Sequence, residues 1–343
     1  MSIIVTGAAG FIGYSVCMAL LQRGDLVTGI DSLNDYYDPS LKNSRLSRLE
    51  KFKNFKFVRL DIVDHPKLLE TFKEVQPRQV LHLAAQAGVQ YSLKNPFAYV
   101  QSNLVGFVNI LEVVREVKCE HLIYASTSSV YGANTEMPFK EQHKTDAPLT
   151  LYAASKKANE LLATSYNHLY GMKATGLRFF TVYGPWGRPD MALFKFTKNI
   201  LEGKPVDLYN HGKHTRDFTY IDDLVEVILR IIDADTTGAR STVDGEEVGA
   251  VRHSNSDIYN IGSNNPIELR AFLQTLEQVL NRPARINYLE LQPGDVEDTF
   301  ANVDKIMDDF GYKPGTDIQT GIKRFVDWYL DYYGVPDPNH NIL

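Results

Sequence analysis

Short apolar runs alternate with helical segments through the first half of the chain. The runs are rich in β-branched residues, and they predict strands at 3–5, 26–30, 57–60, 80–83, 121–125 and 174–180, with a helix at 153–170 before the last. This alternation is typical of βαβ units, whose parallel strands are joined by right-handed crossovers. The pattern therefore predicts an α/β fold with a doubly wound parallel sheet and a ligand crevice at the carboxyl ends of its strands.

The alternation weakens after Tyr183, where the turn-rich segment GPWGRP begins. We expect a first domain over 1–180, with a contribution from about 215–260, and a smaller α/β substrate-binding lobe built from 181–214 and 261–343. Within these regions the residues at 234–257 predict an exposed loop, because Gly, Ser, Thr and acidic residues dominate there. Apolar residues at helical spacing predict an amphipathic helix at 318–333.

Charge and cysteine content narrow the choice of partners and compartment. The formal net charge is −6, which argues against binding nucleic acid or an anionic membrane by bulk electrostatics. Cys17 and Cys119 have no neighbour at metal-binding spacing, so we predict no metal site and a reduced, cytoplasmic setting. The apolar N-terminus lacks a basic region and is interrupted by glycines, so neither it nor any other stretch predicts a membrane span.

The segment GAAGFIG predicts a dinucleotide site. Gly7, Gly10 and Gly13 directly follow the first predicted strand and open the first predicted helix. Glycines there let the backbone turn sharply and approach a pyrophosphate, whose charge is met by the amides of the helix N-terminus. A glycine triplet alone would equally fit a tight turn, so the context carries the prediction.

Acidic residues after the second and third strands support the same site. Asp31 lies eighteen residues past Gly13, where a carboxylate can accept both hydroxyls of an adenosine ribose. It would repel the extra phosphate of NADP, and Ser32 offers no guanidinium to bind one, so NAD is favoured. Asp61 and Ile62 would meet the adenine edge, although Asp61 could instead cap a helix.

Tyr152 and Lys156 in YAASK are the candidate catalytic pair. Positions i and i+4 lie on one face of a helix, so the ammonium can stabilise the phenolate and make Tyr152 a general base. With 19 tyrosines in the chain the pair could also be a packing contact. Hydroxyls at 126–129, just after the fifth strand, could bind a substrate hydroxyl or simply form a turn.

These segments together resemble the extended short-chain dehydrogenase/reductase family, with its Rossmann fold, over nearly the whole chain. The family motifs are GAAGFIG at 7–13, HLAA at 82–85, STSSVYG at 126–132, YAASK at 152–156, FFTVYGP at 179–185 and RDFTYIDD at 216–223. A closer resemblance, to UDP-glucuronate 4-epimerases, rests on DSLNDYYDP at 31–39, GPWGRPDMA at 184–192 and QPGDV at 292–296.

The resemblance implies NAD-dependent 4-epimerisation of UDP-glucuronate through a 4-keto intermediate, by a homodimer whose first domain binds NAD and whose lobe binds the nucleotide sugar. It implies that Thr127, Tyr152 and Lys156 are catalytic. The implied NAD contacts are Gly7, Gly10, Phe11, Ile12, Gly13, Asp31, Asp61, Ile62, Leu83, Ala84, Ala85, Tyr152 and Lys156. The implied substrate contacts are Ser128, Ser129, Thr181 and Arg188 around the sugar carboxylate and Arg216 at the UDP diphosphate.

Some positions leave alternatives open. Many members of the subfamily carry arginine where this chain has Gln90, which weakens the carboxylate assignment, and Arg188 could pair with Asp190 instead of substrate. Epimerases for neutral hexoses carry asparagine in place of Thr181, which supports a carboxylate. The remaining readings are a 4-epimerase of UDP-glucose or UDP-N-acetylglucosamine, a nucleotide-sugar decarboxylase or dehydratase, and a non-catalytic NAD-sensing scaffold.

Overall fold

The computed structural model describes residues 1–237, 242–243, 246–247 and 256–336. In chain order the strands are β1 Ser2–Thr6, β2 Leu26–Asp31, β3 Phe55–Arg59, β4 Gln79–His82, β5 His121–Thr127, β6 Ala174–Phe179, β7 Thr181–Tyr183, β8 Val206–Tyr209, β9 Thr215–Tyr220, β10 Thr242–Val243, β11 Glu246–Glu247, β12 Ser256–Ile261, β13 Pro266–Glu268 and β14 Ile286–Leu289.

The helices follow the crossover pattern expected between parallel strands. They are α1 Phe11–Gln22, α2 Pro39–Leu49, α3 His65–Val75, α4 Val89–Lys94, α5 Pro96–Tyr99, α6 Gly106–Glu116, α7 Leu151–Tyr170, α8 Ala192–Leu201, α9 Ile221–Thr237, α10 Leu269–Leu280, α11 Asp304–Phe310 and α12 Ile318–Tyr333. A π-helical segment, Val100–Val105, joins α5 to α6, and short 3₁₀ turns lie at Ser128–Tyr131 and Asn210–Gly212.

A seven-stranded parallel sheet forms the centre of the molecule, in the order β12-β6-β5-β4-β1-β2-β3. Strands covered on both faces read as continuous apolar runs, because neither face meets water. Accordingly Ile3 and Val5 pack into one core and Ile4 into the core on the opposite face. The strand order reverses between β1 and β4, which opens the crevice there. The predicted doubly wound fold is confirmed.

Apart from the central sheet, the described strands that follow β6 form smaller sheets. β7, β9 and β13 form a three-stranded sheet in the order β13-β9-β7, and β8 pairs with β14 in parallel. α10 packs on α12, and Phe218 stacks on Phe272 with ring centroids 4.1 Å apart. The division of the chain into two domains at the boundaries given above stays a prediction.

The predicted loop at 234–257 is wrong at both ends. The helix α9 continues to Thr237, and β12 begins at Ser256 as an edge strand of the central sheet. Ser256, Asp257 and Asn260 make β12 more polar than the inner strands, so its sequence does not stand out from the loop before it. Positions 238–241, 244–245 and 248–255 lie outside the described residues.

One helical stretch in the described part of the chain, Pro96–Glu116, is long and apolar enough to cross a membrane by length and composition alone. The sequence pattern predicts no such stretch. Its side chains Phe107, Ile110 and Leu111 are fully buried in the core beside the sheet. The same test is passed by the core helices of globular proteins, and this helix packs against α3 and α7 in that manner.

Candidate active site

A cavity of about 1000 Å³ opens at the carboxyl ends of the central strands and extends to α8, β8 and β9. A cleft of this size is large enough for a dinucleotide and a second ligand to share. Every residue that the sequence analysis proposed for the site lines it. They are Gly7, Gly10, Phe11, Ile12, Gly13, Asp31, Asp61, Ile62, Leu83, Ala84, Ala85, Thr127, Ser128, Ser129, Tyr152, Lys156, Thr181, Arg188 and Arg216.

The turn between β1 and α1 requires its glycines. Gly7 has φ +72°, a conformation that side chains disfavour, and its amide donates 2.7 Å to the carbonyl of Ile30. A Cβ on Gly13 would lie 2.1 Å from the carbonyl oxygen of Gly7. The helix begins at Phe11, and no side chain caps it at Gly10. The first amides of α1 are therefore left for an anion.

Asp31 ends β2 beside this turn. Its buried carboxylate accepts hydrogen bonds from the amides of Ala9, at 3.1 Å, and Leu33, at 2.8 Å. Asp61 accepts from the amide of Val63 at 3.1 Å and closes a turn at the cavity, whereas the helix that follows is capped by Asp64. Asp61 is therefore a turn residue and not the cap of α3.

The HLAA segment is fixed by β1. The hydroxyl of Thr6 accepts from the amides of Leu83 and Ala84, at 3.2 and 3.1 Å. Gly7 lies so close to this segment that a Cβ there would approach the Ala84 amide to 2.9 Å. The glycine turn and the HLAA segment thus form adjoining walls of the cavity.

Burial governs the chemistry of YAASK. The ammonium of Lys156, 3% exposed, donates 2.9 Å to the carbonyl of Ala125, and burial lowers its pKa to about 8. Burial raises the pKa of Tyr152, while a hydrogen bond with Thr127 and the charge of Arg188 lower it. The i, i+4 spacing predicts that effect from Lys156, whereas in the structure the lowering charge is that of Arg188.

The hydroxyl side chains at the carboxyl end of β5 and just after it have two different roles. Thr127 donates 3.2 Å to the hydroxyl of Ser129 and accepts from the Ser129 amide at 3.2 Å, at the start of the 3₁₀ turn. Ser126 instead donates 2.7 Å to Glu160, which also binds Arg178 in a buried ion pair. Thr127, Ser128 and Ser129 line the cavity together with Tyr152, and Ser126, which also lines it, anchors α7 to β5.

Arg188 pairs with Asp190 in a bidentate ion pair. Its Nε and one terminal nitrogen donate to the two carboxylate oxygens at 3.0 and 2.5 Å. Asp190 also accepts from the hydroxyl of Tyr36 at 3.1 Å. The sequence left open whether Arg188 would pair with Asp190 or remain free for substrate, and in this structure it pairs with Asp190. A substrate carboxylate has to share or replace that partner.

The segment QPGDV lines the cavity, and two polar side chains from other parts of the chain, Arg216 and Gln90, hydrogen-bond to it or to the residue next to it. Arg216 donates 2.7 Å to the carbonyls of Val296 and Glu297 and lies 3.5 Å from the carboxylate of Asp295. Burial lowers the pKa of Arg216. Gln90 donates 3.1 Å to the carbonyl of Pro293. Where an arginine would add charge, Gln90 holds the same segment through a neutral hydrogen bond.

Sequence reasoning missed several residues that line the cavity. Lys42 is 5% exposed and donates to Asn34 at 2.9 Å (backbone) and 2.6 Å (side chain). Lys42 belongs to no motif quoted above, and Tyr36 lies within DSLNDYYDP, where nothing distinguishes it from Tyr37. The cavity lining also includes five residues on or near α8 and β8, which are Lys195, Asn199, Asp207, Tyr209 and His214.

Comparison with known proteins agrees with this geometry. Residues 3–262 match the model of the NAD dependent epimerase/dehydratase family. Protein CapI of Staphylococcus aureus is 50% identical over 97% of this chain and 99% of its own length. UDP-glucuronate 4-epimerase 6 of Arabidopsis thaliana is 48% identical over 98% of this chain and 73% of its own length.

A solved structure shows the same similarity in three dimensions. The UDP-glucuronic acid 4-epimerase of Bacillus cereus, in complex with UDP-glucuronic acid and NAD, superposes with a TM-score of 0.86 at 32% identity, covering 97% of this chain and 100% of that one. The cavity, the glycine turn and YAASK thus occur in a chain that belongs to the NAD dependent epimerase/dehydratase family, within the extended short-chain dehydrogenases/reductases.

Proposed function

We propose that this chain is a UDP-glucuronate 4-epimerase that uses NAD to interconvert UDP-glucuronate and UDP-galacturonate through a transient 4-keto sugar. The observation that carries the proposal is that Thr127, Tyr152 and Arg188 meet in the cavity that begins at the glycine turn. Relatives at about half identity named UDP-glucuronate 4-epimerases support the choice of sugar.

The residues around the glycine turn fit NAD. A side chain at Gly13 would collide with the backbone of Gly7, so the turn depends on this glycine, and no side chain caps the start of α1. Anions bind at such helix starts, and Asp31 in the cavity lining offers a carboxylate for the adenosine ribose. When bound, NAD would accept the hydride from C4 of the sugar and return it to the opposite face. The adenosine side of that pocket would be completed by five further residues, Asp61, Ile62, Leu83, Ala84 and Ala85.

The phenol of Tyr152 would act as the base at the sugar 4-hydroxyl. The hydrogen bond with Thr127 and the charge of Arg188 already lower the pKa of the phenol against the effect of burial. A positive nicotinamide would lower it further, since an opposite charge favours the phenolate. Lys156 would orient the nicotinamide ribose, and Thr127 would bind the reacting oxygen.

The sugar carboxylate needs firm control, because a 4-keto glucuronate is a β-keto acid and loses carbon dioxide readily. Ser128, Ser129 and Thr181 would hold it by hydrogen bonds, with Arg188 as the charged partner. Holding the carboxylate out of overlap with the ketone would suppress its loss. Arg188 would then turn from Asp190 to the substrate, while Arg216 would meet the UDP diphosphate.

The test is to incubate the purified protein with UDP-glucuronate, UDP-glucose and UDP-N-acetylglucosamine and to resolve the products. We expect UDP-galacturonate from UDP-glucuronate as the main reaction. Release of UDP-pentose would favour a decarboxylase, and turnover of a neutral sugar alone would favour a neutral-hexose epimerase. A protein that bound NAD but showed neither product nor reduced-nicotinamide absorbance with any sugar would be a scaffold.

Arg188→Met tests the carboxylate contact. Losing a bidentate charged contact costs on the order of 2–4 kcal/mol, so activity on UDP-glucuronate should fall by tens to hundreds of fold. Because the charge of Arg188 also lowers the pKa of Tyr152, any weak activity on UDP-glucose should fall as well, but by less than activity on UDP-glucuronate, and more UDP-pentose should form per turnover. Equal losses on both sugars would mean that Arg188 acts through the phenol or its own loop rather than through the sugar carboxylate.

We also propose that the protein works as a cytoplasmic homodimer with no membrane or nucleic-acid partner, in the biosynthesis of polysaccharides that contain galacturonate. The net charge of −6 supports the absence of a nucleic-acid or anionic-membrane partner, and the exposed apolar side chains on α4, α5 and α7 support the homodimer.

A further inference from the structure

Arg45, on α2, connects the two loops that the proposed reaction depends on. Its side chain is fully buried, and one guanidinium nitrogen donates 3.0 Å to the carbonyl of Ala9, in the glycine turn. The other terminal nitrogen donates to the carbonyls of Trp186, at 2.5 Å, and Gly187, at 3.3 Å. Gly187 directly precedes Arg188. A single planar group thus holds the cofactor turn and the loop that presents Arg188.

The chemistry of these contacts is unusual for a buried cation. All the acceptors named, and the hydroxyl of Tyr37 at 2.7 Å, are neutral oxygens, and the buried Nε has no hydrogen-bond partner. Burying a charge without a carboxylate costs free energy that only good geometry offsets. A lysine has no fork and could not reach both loops at once. The planar guanidinium is therefore required by the bridge rather than by charge alone.

We propose that Arg45 is a positioning residue that transmits the state of the cofactor turn to the loop carrying Arg188. With the dinucleotide in place, the turn around Ala9 is fixed, and through Arg45 the Trp186–Gly187 backbone is fixed with it. Arg188 is then aimed at the substrate carboxylate only when the cofactor is bound. Arg45 touches neither reacting atom, and the substrate part of this inference rests on the proposed function.

The chain provides a spectroscopic probe for the proposal. Its two tryptophans, Trp186 and Trp328, have ring centroids 5.2 Å apart, so tryptophan emission reports on this loop and its neighbour α12. Cofactor-free protein titrated with NAD should show an emission change that saturates with binding. Arg45→Lys should still bind NAD, measured by calorimetry, but lose most of that emission change.

A matched control separates this role from general stability. Arg230 likewise donates to two backbone carbonyls, those of Phe310 at 3.1 Å and Gly311 at 2.6 Å, but outside the cavity lining. Arg230→Lys should keep the full emission response. If Arg45→Lys does not fold, Tyr37→Phe removes one partner of the fork and should reduce the response. A full response in Arg45→Lys or Tyr37→Phe, or none in the unchanged protein, would overturn the proposal.

A second measurement addresses the substrate side. On UDP-glucuronate, Arg45→Lys should release several-fold more UDP-pentose per turnover, as expected for Arg188→Met, and the double variant should add little, since both changes act through one contact. Additive effects would contradict the link from Arg45 to Arg188. If the unchanged protein leaves UDP-glucuronate untouched, the proposed function fails, whereas the emission test of the cofactor link still decides this inference.

Discussion

At the scale of single residues, Lys156 is a buried cation of the candidate site whose burial is unfavourable for folding. Its ammonium is almost wholly buried and donates a hydrogen bond to the Ala125 carbonyl. Burial lowers the pKa of Lys156 to about 8. Desolvation of this kind is a stability cost carried by the folded protein. Orientation of a bound cofactor by the Lys156 ammonium would offset this cost.

The Lys156 cost predicts a pH dependence in the cofactor-free protein. Below pH 8 the folded and unfolded chains both bind the proton, so the full penalty is present. Between about pH 8 and 10.5 only the unfolded chain keeps the proton on Lys156. The free energy of unfolding should therefore increase by on the order of 3 kcal/mol from this group as the pH rises through that range. Denaturant titrations across that range should show the gain.

Lys156→Met should remove that gain and abolish epimerisation. Lys323→Met, which changes an ammonium that is 65% exposed, is the control and should keep the same pH profile as the unchanged protein. An identical profile in Lys156→Met would show that the buried ammonium is not the group that titrates.

Tyr152→Phe keeps the ring and removes the proposed base. Turnover of UDP-glucuronate should fall roughly a hundredfold or more, while binding of the nucleotide sugar, measured by calorimetry, stays close to normal. Tyr166→Phe is the matched control, because Tyr166 lies on the same helix and donates to Glu112 away from the cavity. Near-normal turnover in Tyr152→Phe would remove the phenol from the mechanism.

At the scale of elements, the turn from β1 to α1 depends on close backbone packing. Gly13→Ala would place a methyl group 2.1 Å from the Gly7 carbonyl oxygen, where neither backbone can yield cheaply. We expect NAD affinity to fall at least tenfold, since a loss of only about 1.4 kcal/mol in binding produces that factor. Gly315→Ala, which meets no atom within 4 Å, should leave NAD binding unchanged. Equal NAD affinities for Gly13→Ala and the unchanged protein, measured by calorimetry, would contradict the proposal that this turn binds NAD.

The sequence predicted all five inner strands of the central sheet, because their burial on both faces leaves a continuous apolar pattern. It missed β12, because Asp257 and the fully buried Asn260, which is hydrogen-bonded to Tyr131 and to the carbonyl of Phe139, interrupt the apolar pattern there. It named Arg188 and Asp190 but could not choose between their possible partners, since that depends on how the loop folds. Arg45 could not be found at all: one arginine in the polar helix α2 carries no periodic signal, and its burial arises only when two distant loops meet over it.

At the scale of the whole molecule, the described surface carries a set of exposed apolar side chains on neighbouring helical elements. Leu93 on α4, Phe97 on α5, Val105 in the π-helical segment and Leu161 on α7 are 54%, 77%, 41% and 60% exposed. These elements pack against one another and include the helix of YAASK. Apolar side chains gathered in this way commonly mark an interface between subunits.

We therefore expect Leu161→Glu to dissociate the proposed dimer. A carboxylate at the centre of an apolar interface would be buried without a partner, and the cost of desolvating two such charges in a symmetric contact exceeds what a typical interface can spare. Sedimentation equilibrium should show a dimer for the unchanged protein and a monomer for the variant. Leu26→Glu adds the same charge at a residue that is 59% exposed on β2, away from these helices, and should remain dimeric. A monomeric unchanged protein, or a dimer that persists in Leu161→Glu, would place the contact between subunits elsewhere.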